Sequence, residues 1–454
     1  MAVGARIASL VLAAHAPLAA ATLEIDARLL QATPMPELKQ IAPYPRALCT
    51  YLYEVENVHA GKYDSGKILV VKWAVWRRKK LEGLPAKAGE VERLKLDRWI
   101  DYPNFDRERI VDAIREVDRV IYYDVSSKPD GVAELQAALE GREKELETGV
   151  VRGEAKGWLF LAEELRHAET GRFWEKDWRK VARAEVDPLP AMLDFQRRLK
   201  ALGVELWIVP VPTKVSLRPR SLKHGLQLES QAGYLTVLRG AGLQIIDLEA
   251  ALRLEQQKRR PWIPELRQDS HWGPRTCLIG ARMIADRIRS LASGDRDSFP
   301  LGAPIDITIR GDLSRLVPGW KLPAETVSAA KVHRRGARDP GVGLSHPDSP
   351  FVLLGDSHVT VFSEGTEEMH GAGAGLPDYL ANRLGLAFDV IASHGDGIHQ
   401  ARVNLYQQRS TNLKYPEYWK NKKAVIWVFS ARAFTRAERW STRVPVVRVI
   451  RKNR

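Results

Sequence analysis

The stretch Phe351-Val352-Leu353-Leu354-Gly355-Asp356-Ser357-His358 decides how the rest of the chain is read. Four apolar residues bounded by Gly-Asp-Ser fit a short buried strand rather than a helix. In a parallel sheet this puts the Ser357 hydroxyl at the carboxyl end of a strand, where the next helix begins and where α/β hydrolytic folds carry their nucleophiles. Working outward, helical spacing over residues 189–202 closes at Gly203, and 204–211 is a buried-strand run. A helix over 225–243, a strand over 243–248 and a helix over 275–291 follow, then a helix over 376–384 and strands over 387–392 and 424–429. This alternation predicts an α/β fold with a mostly parallel sheet flanked by helices. Residues 295–350 are rich in Gly, Pro, Arg and Asp and predict an irregular excursion with one strand at 305–309.

Serine is a weak nucleophile at neutral pH and needs a base within hydrogen-bond reach, itself oriented by a third group. Asp269-Ser270-His271-Trp272 offers both. A carboxylate two residues before a histidine can hold the ring so that its other nitrogen faces the serine; the bland alternative is that Asp269 only caps the helix that follows. Each motif alone is more often structural, but the two together predict a catalytic set of Ser357, His271 and Asp269. The oxyanion of an acyl-transfer intermediate needs N–H donors. Those expected are Ser357's own N–H and the loop Ser393-His394-Gly395-Asp396-Gly397, through Gly395 and Gly397. Arg402 and Asn404, on the helix after that loop, are expected to reach substrate, although solvated residues would look the same. His358 is read as structural, because neighbours on a strand end point to opposite faces. His370, His394, His399 and Asp396 lack any metal-ligand spacing, and Gly371 to Gly375 lacks the Gly-Lys-Ser/Thr ending of a phosphate loop, so neither a metal nor a cofactor is predicted.

Trp158-Leu159-Phe160-Leu161, Val209-Pro210-Val211-Pro212-Thr213-Lys214, Asp269-Ser270-His271-Trp272, Gly355-Asp356-Ser357 and the loop from Gly395 to Gly397 occur in that order. The order resembles the SGNH-like domain of the alginate O-acetyltransferases of the AlgJ and AlgX type, over residues 157–434. Acid and base precede the nucleophile, the permuted order of that family. The resemblance implies Asp269 as orienting acid, His271 as base and Ser357 as an acetyl-carrying nucleophile, acting on an exported polysaccharide in the periplasm. It also implies a membrane-bound partner that supplies acetyl groups. The chain lacks the Gly-x-Asn-Asp block of ordinary SGNH enzymes, and what precedes residue 157 is not the carbohydrate-binding module that follows the catalytic domain in AlgX-type proteins. A carbohydrate acetyl esterase and a non-catalytic polysaccharide-binding scaffold remain the alternatives.

At the N-terminus, Arg6, the apolar run over 7–14 and Ala19-Ala20-Ala21 predict an export signal over residues 1–21, against an irregular Ala-rich start. No later segment has the roughly 18 uninterrupted apolar residues of a membrane span. Alternating residues 51–55, an apolar run over 67–76 and further pieces over 91–99 predict a small β-rich domain over 45–125. Its Trp73, Trp76 and Trp99 are core or a sugar-stacking platform, with core favoured. Residues 126–150 read as a linker followed by a helix over 132–147. Cys49 and Cys277 are too few for a disulfide framework; two buried thiols are expected, a single bridge being the alternative. A net charge of +14 favours anionic partners, and no zinc-finger or RNP-like motif points to nucleic acid.

Overall fold

The computed structural model describes residues 23–42, 44–76, 78–81, 84, 87–102, 105, 108–114, 120–127, 131–181, 186–257, 266–292, 297–317, 319–436 and 440–447. The export signal read at 1–21 lies outside them, as do residues 128–130 of the linker. The chain divides into two compact units, Met1–Pro129 and Asp130–Arg454.

In the first unit, Leu23–Ala32, Ala47–Ala60 and Lys67–Trp76 form an antiparallel meander. Val91–Arg98 pairs antiparallel with the first strand, and Ile121–Asp124 closes the ring, antiparallel to Val91–Arg98 and parallel to Lys67–Trp76. This is the connectivity of an OB-type barrel. The unit therefore begins at least at Leu23, earlier than the boundary at 45. The missed first strand has a clear period of two: Leu23, Ile25, Ala27 and Leu29 are buried and alternate with half-buried Glu24, Asp26 and Arg28. Lys72 is buried with its ammonium 2.9 Å from Glu92 and 3.6 Å from Asp124, a charge that could not stay inside without those partners. Trp73 and Trp76 meet edge to face at 4.8 Å and are 2% and 8% exposed. They pack with Tyr123, Phe105 and partly buried Trp99 in one cluster, which favours the core reading over a sugar platform.

The second unit is built on a five-stranded sheet in the spatial order Gln244–Ile245, Glu205–Val211, Ala424–Ser430, Phe351–Gly355, Asp389–Ala392, with every pairing parallel. Alternate side chains feed two cores. Phe351 and Leu353 pack under helices Pro274–Ile288 and Leu376–Leu384, whereas Val352 and Leu354 pack under Leu189–Lys200, Ala232–Gly240 and Gln400–Leu405. The four strand ends that lead to Lys214, Ser357, the Gly395 to Gly397 loop and Ser430 lie at the carboxyl edge, as the crossover topology requires.

Several boundaries differ from the spacing. The helix read over 132–147 is two, Val132–Leu139 and Glu143–Thr148, because Gly141 sits between them at φ +74°. The helix over 225–243 shrinks to Ala232–Gly240, and the strand over 243–248 to Gln244–Ile245, since a helix, Leu248–Gln257, starts at its end. The excursion over 295–350 contains a two-stranded antiparallel ribbon, Leu301–Ile309 with Glu325–Val332. Cys49 and Cys277 are free and buried, and burial pushes the Cys49 thiol up to about 12.

At the foot of the sheet Asp389 is fully buried and receives two 2.7 Å hydrogen bonds from Arg409 and one of 2.7 Å from Tyr418. Removing the carboxylate strands a buried guanidinium. Asp389→Ala is expected to lose about 3–5 kcal/mol of unfolding free energy in urea titration, and a loss under about 1 kcal/mol would show that water replaces the partner.

Candidate active site

Ser357 is the first residue after the turn that ends the Phe351–Gly355 strand, and it opens a short helix, Ser357–Thr360, capped by Asp356. Gly355 is required where it stands: a Cβ there would lie 1.9 Å from the carbonyl oxygen of Val428 on the neighbouring strand. Asp356 fixes the turn by accepting the His358 N–H at 2.9 Å on one oxygen and the Ser430 N–H at 2.8 Å on the other. The hydroxyl is thereby tied to two strands.

His271 Nε2 lies 2.7 Å from Ser357 Oγ, and its Nδ1 lies 2.6 Å from Asp269 Oδ1. Asp269 Oδ1 also accepts the His271 backbone N–H at 2.9 Å, while Oδ2 accepts the Asp312 N–H at 2.8 Å and bonds His370 Nε2 at 2.9 Å. Asp269 is fully buried, so burial alone would raise its pKa, but the charge and hydrogen bond of His271 and the bond from His370 hold it well below the usual carboxylate range. Burial opposes charging His271 as well; Asp269 first, then Asp312 and Asp356, overcome this and raise its pKa. The result is a base held in one tautomer next to a hydroxyl, with counter-charge for its protonated form.

The chain folds this way because the motifs before it build a brace. The buried ammonium of Lys214, one residue past Thr213 at the end of the Glu205–Val211 strand, bonds the carbonyls of Leu159 at 2.9 Å and Arg267 at 3.3 Å, two residues before Asp269. The Leu159 N–H bonds the Arg267 carbonyl at 2.9 Å, and Glu164 accepts the Lys214 N–H at 3.0 Å. Burial lowers the pKa of Lys214 and raises that of Glu164, each against the pull of neighbouring opposite charges. Among the described residues one group of metal-ligating type occurs, Asp269, His271 and Asp312, with donor atoms within 4.8 Å. Those atoms already carry the hydrogen bonds of the triad, and Asp312 accepts the Ser270 N–H at 2.7 Å.

Residues 150–430 match the family described as SGNH hydrolase-like domain, acetyltransferase AlgX. The chain belongs to that AlgX family. The probable alginate O-acetylase AlgJ of Pseudomonas aeruginosa is 30% identical over 183 residues, 37% of this chain and 41% of that protein. The chain thus spans about two fifths of that relative's length. The O-acetyltransferase domain of Pseudomonas putida AlgJ is a structural neighbour at 18% identity, covering 63% of this chain and 92% of that one, with a TM-score of 0.44. Pseudomonas aeruginosa AlgX is another at 16% identity, covering 62% and 61%, with a TM-score of 0.43.

Within this AlgX-family domain the structure brings Ser357, His271 and Asp269 together and separates other candidates from them. Arg402 is corrected: it is 2% exposed, its guanidinium bonds the carbonyls of Ile398 at 2.8 Å and Ser441 at 3.0 Å, and it lies over the rings of Phe195 and Trp427. It is a core cation, not a substrate contact. Asn404 bonds the Ala392 carbonyl at 3.4 Å and Gln400 at 2.9 Å. Gly397 packs on the nucleophile turn, where a Cβ would come within 2.6 Å of Asp356 N, whereas Gly395 sits in open space at φ +78°. His394 bonds Thr360 and Glu364, each at 3.0 Å. Strand alternation does not govern the direction of His358, because the strand has ended at Gly355 and residues 357–360 are helical.

His370, Asp312, Lys214 and Glu164 were not assigned to the site from spacing. His370 and Asp312 reach Asp269, and Lys214 its segment, across long sequence separations, and Glu164 acts through Lys214, so spacing shows none of these contacts. His370 is held at φ +60°, an uncommon conformation for a residue with a side chain, and it points that ring at the acid. Activity should rise with pH through the raised His271 pKa, because the base must be neutral to take a proton. His370→Ala removes a donor from Asp269, strengthening its pull on the His271 imidazolium. The acid limb of kcat/KM is expected to move to higher pH, and to move less in His370→Gln; a uniform loss with an unmoved limb would show a space-filling role.

Proposed function

We propose that this protein is a serine-dependent O-acetyltransferase that carries acetyl on Ser357 and passes it to a hydroxyl of an exported polysaccharide. The observation that supports this most directly is the unbroken chain Asp269–His271–Ser357 at 2.6 and 2.7 Å. In the first half-reaction His271 takes the Ser357 proton as Oγ attacks the acetyl carbonyl, Asp269 stabilises the imidazolium that forms, and the bond from the acetyl carbon to the donor's oxygen breaks. In the second, the oxygen of an acceptor hydroxyl bonds to the acetyl carbon and gives its proton to a base of the site, while the bond to Oγ breaks and Oγ leaves protonated. The oxyanion is held by the Ser357 N–H and by N–H groups of the Gly395 to Gly397 loop; the seat of Gly397 against the nucleophile turn favours this.

Membership of the AlgX family supports acetyl as the group transferred, and the +14 charge suits an anionic polymer. Acetyl esters on an exported glycan place the reaction in the periplasm and call for a membrane-bound partner that delivers acetyl. Among the described residues no helix is long and apolar enough to cross a membrane.

Purified protein is to be given a chromogenic acetyl ester with and without oligosaccharides, following chromophore release, sugar mass and the mass of the Ser357 peptide. Ser357→Ala is expected to abolish the acetyl adduct and ester cleavage while circular dichroism stays native, and Asp269→Asn to cost about 10⁴ in turnover. Wild-type turnover by folded Ser357→Ala would sink the assignment. Acetyl recovered only as free acetate with every sugar tried would make the protein an esterase instead.

A further inference from the structure

The triplet Asp-Ser-His occurs twice, at residues 269–271 and 356–358, and both copies fold alike. In each, a single carboxylate oxygen accepts the backbone N–H of the histidine two residues on and bonds its Nδ1. The distances are 2.9 and 2.6 Å in the first copy and 2.9 and 2.9 Å in the second. A ring whose Nδ1–H is held by a carboxylate presents Nε2 as its base when neutral. The copies differ in what Nε2 does. His271 Nε2 is engaged with Ser357 Oγ, whereas His358 Nε2 has no hydrogen-bond partner among the described residues although its side chain is only 3% exposed.

The two rings are 5.1 Å apart between centroids. Trp272 holds them together: it follows His271 in the chain, its Nε1–H bonds the His358 carbonyl at 3.0 Å, and its ring meets His358 edge-on at 5.9 Å. A second carboxylate–imidazole pair beside the nucleophile is more than the capping of a four-residue helix requires, since Asp356 caps it through the His358 N–H alone. His358 Nε2 is not one of the fully buried polar atoms left without a partner, so this nitrogen keeps some access to solvent and is open to an incoming group.

We propose that His358, oriented by Asp356, is a second acid–base group of the acyl-transfer site, handling the proton of the donor's leaving oxygen and of the acceptor hydroxyl while His271 handles that of Ser357. The inference rests on the acetyl-serine reading above. The productive form of the site has a single proton between the two rings, placed so that His271 is free to act as base; the pull of Asp269 on His271 opposes this arrangement. As the bond from Ser357 Oγ to the acetyl carbon forms, His271 takes the hydroxyl proton; the bond from that carbon to the donor oxygen breaks, and this oxygen leaves with the proton of His358. In the second half-reaction the acceptor oxygen bonds to the acetyl carbon as His358 takes its proton, and the bond to Oγ breaks as Oγ recovers its proton from His271. Both rings end as they began. One proton alternates between them, and repulsion between two imidazolium ions at this spacing disfavours charging both.

The test uses leaving groups of different basicity with the whole chain and with His358→Gln and His358→Asn, the second keeping a short amide near Asp356. A p-nitrophenolate leaving group needs no proton, so its pre-steady-state burst should change less than about threefold in either variant. Cleavage of an alkyl acetate, and acetyl transfer from p-nitrophenyl acetate to a methyl glycoside, should each fall about 10²-fold, the usual worth of a positioned acid or base. Equal falls for all three reactions, or no fall in any, would overturn the proposal. A wild-type protein with no burst and no acetyl adduct at Ser357 would instead remove the acetyl-serine reading, so the two failures are distinguishable.

Discussion

The site depends on one buried carboxylate. Asp269 has no exposure to solvent, and an unpaired charge there would be too costly to keep. Its four hydrogen bonds come from His271 twice, Asp312 and His370, which are contributed by three separate parts of the chain. The segment that carries it is clamped from below by Lys214, whose own burial is tolerated because Glu164 and backbone carbonyls surround it. Charge placement and fold are therefore the same problem in this region: the protein cannot satisfy Asp269 without also aiming His271 at Ser357.

The nucleophile turn, the acid–base pair and their membership of an SGNH-like acetyltransferase family were legible in the sequence because each is short and local. Gly355-Asp356-Ser357 is a strand end, and Asp269-Ser270-His271 folds onto itself through i to i+2 bonds. What spacing could not show is what crosses the fold. His370 lies 101 residues from its carboxylate partner, and nothing around it marks it as an acid-orienting group. Arg402 misled in the opposite sense: a charged residue near a predicted site reads as a contact, but here its stem and guanidinium fill the space between Phe195, Trp427 and two backbone carbonyls. His358 misled through an assumption about local conformation, since alternation holds on strands and the chain had already turned helical.

The motifs that carried the family resemblance without an evident chemical role now have a physical one. Trp158 to Leu161 and Val209 to Lys214 supply no reacting atom. They tie down the Asp269 segment through the Lys214 ammonium and the Leu159 to Arg267 backbone bond.

The strand Ala424–Ser430 is the last of its sheet in sequence and the middle one in space. Until it is present, the strand bearing Ser357 and the strand leading to Lys214 share no ladder, and each presents bare backbone groups to solvent. Ser430 also supplies the N–H that holds Asp356. A ribosome-bound chain that stops short of residue 424 thus owns every residue of the triad but lacks the strand that joins the nucleophile strand to the rest of the sheet and seats Asp356.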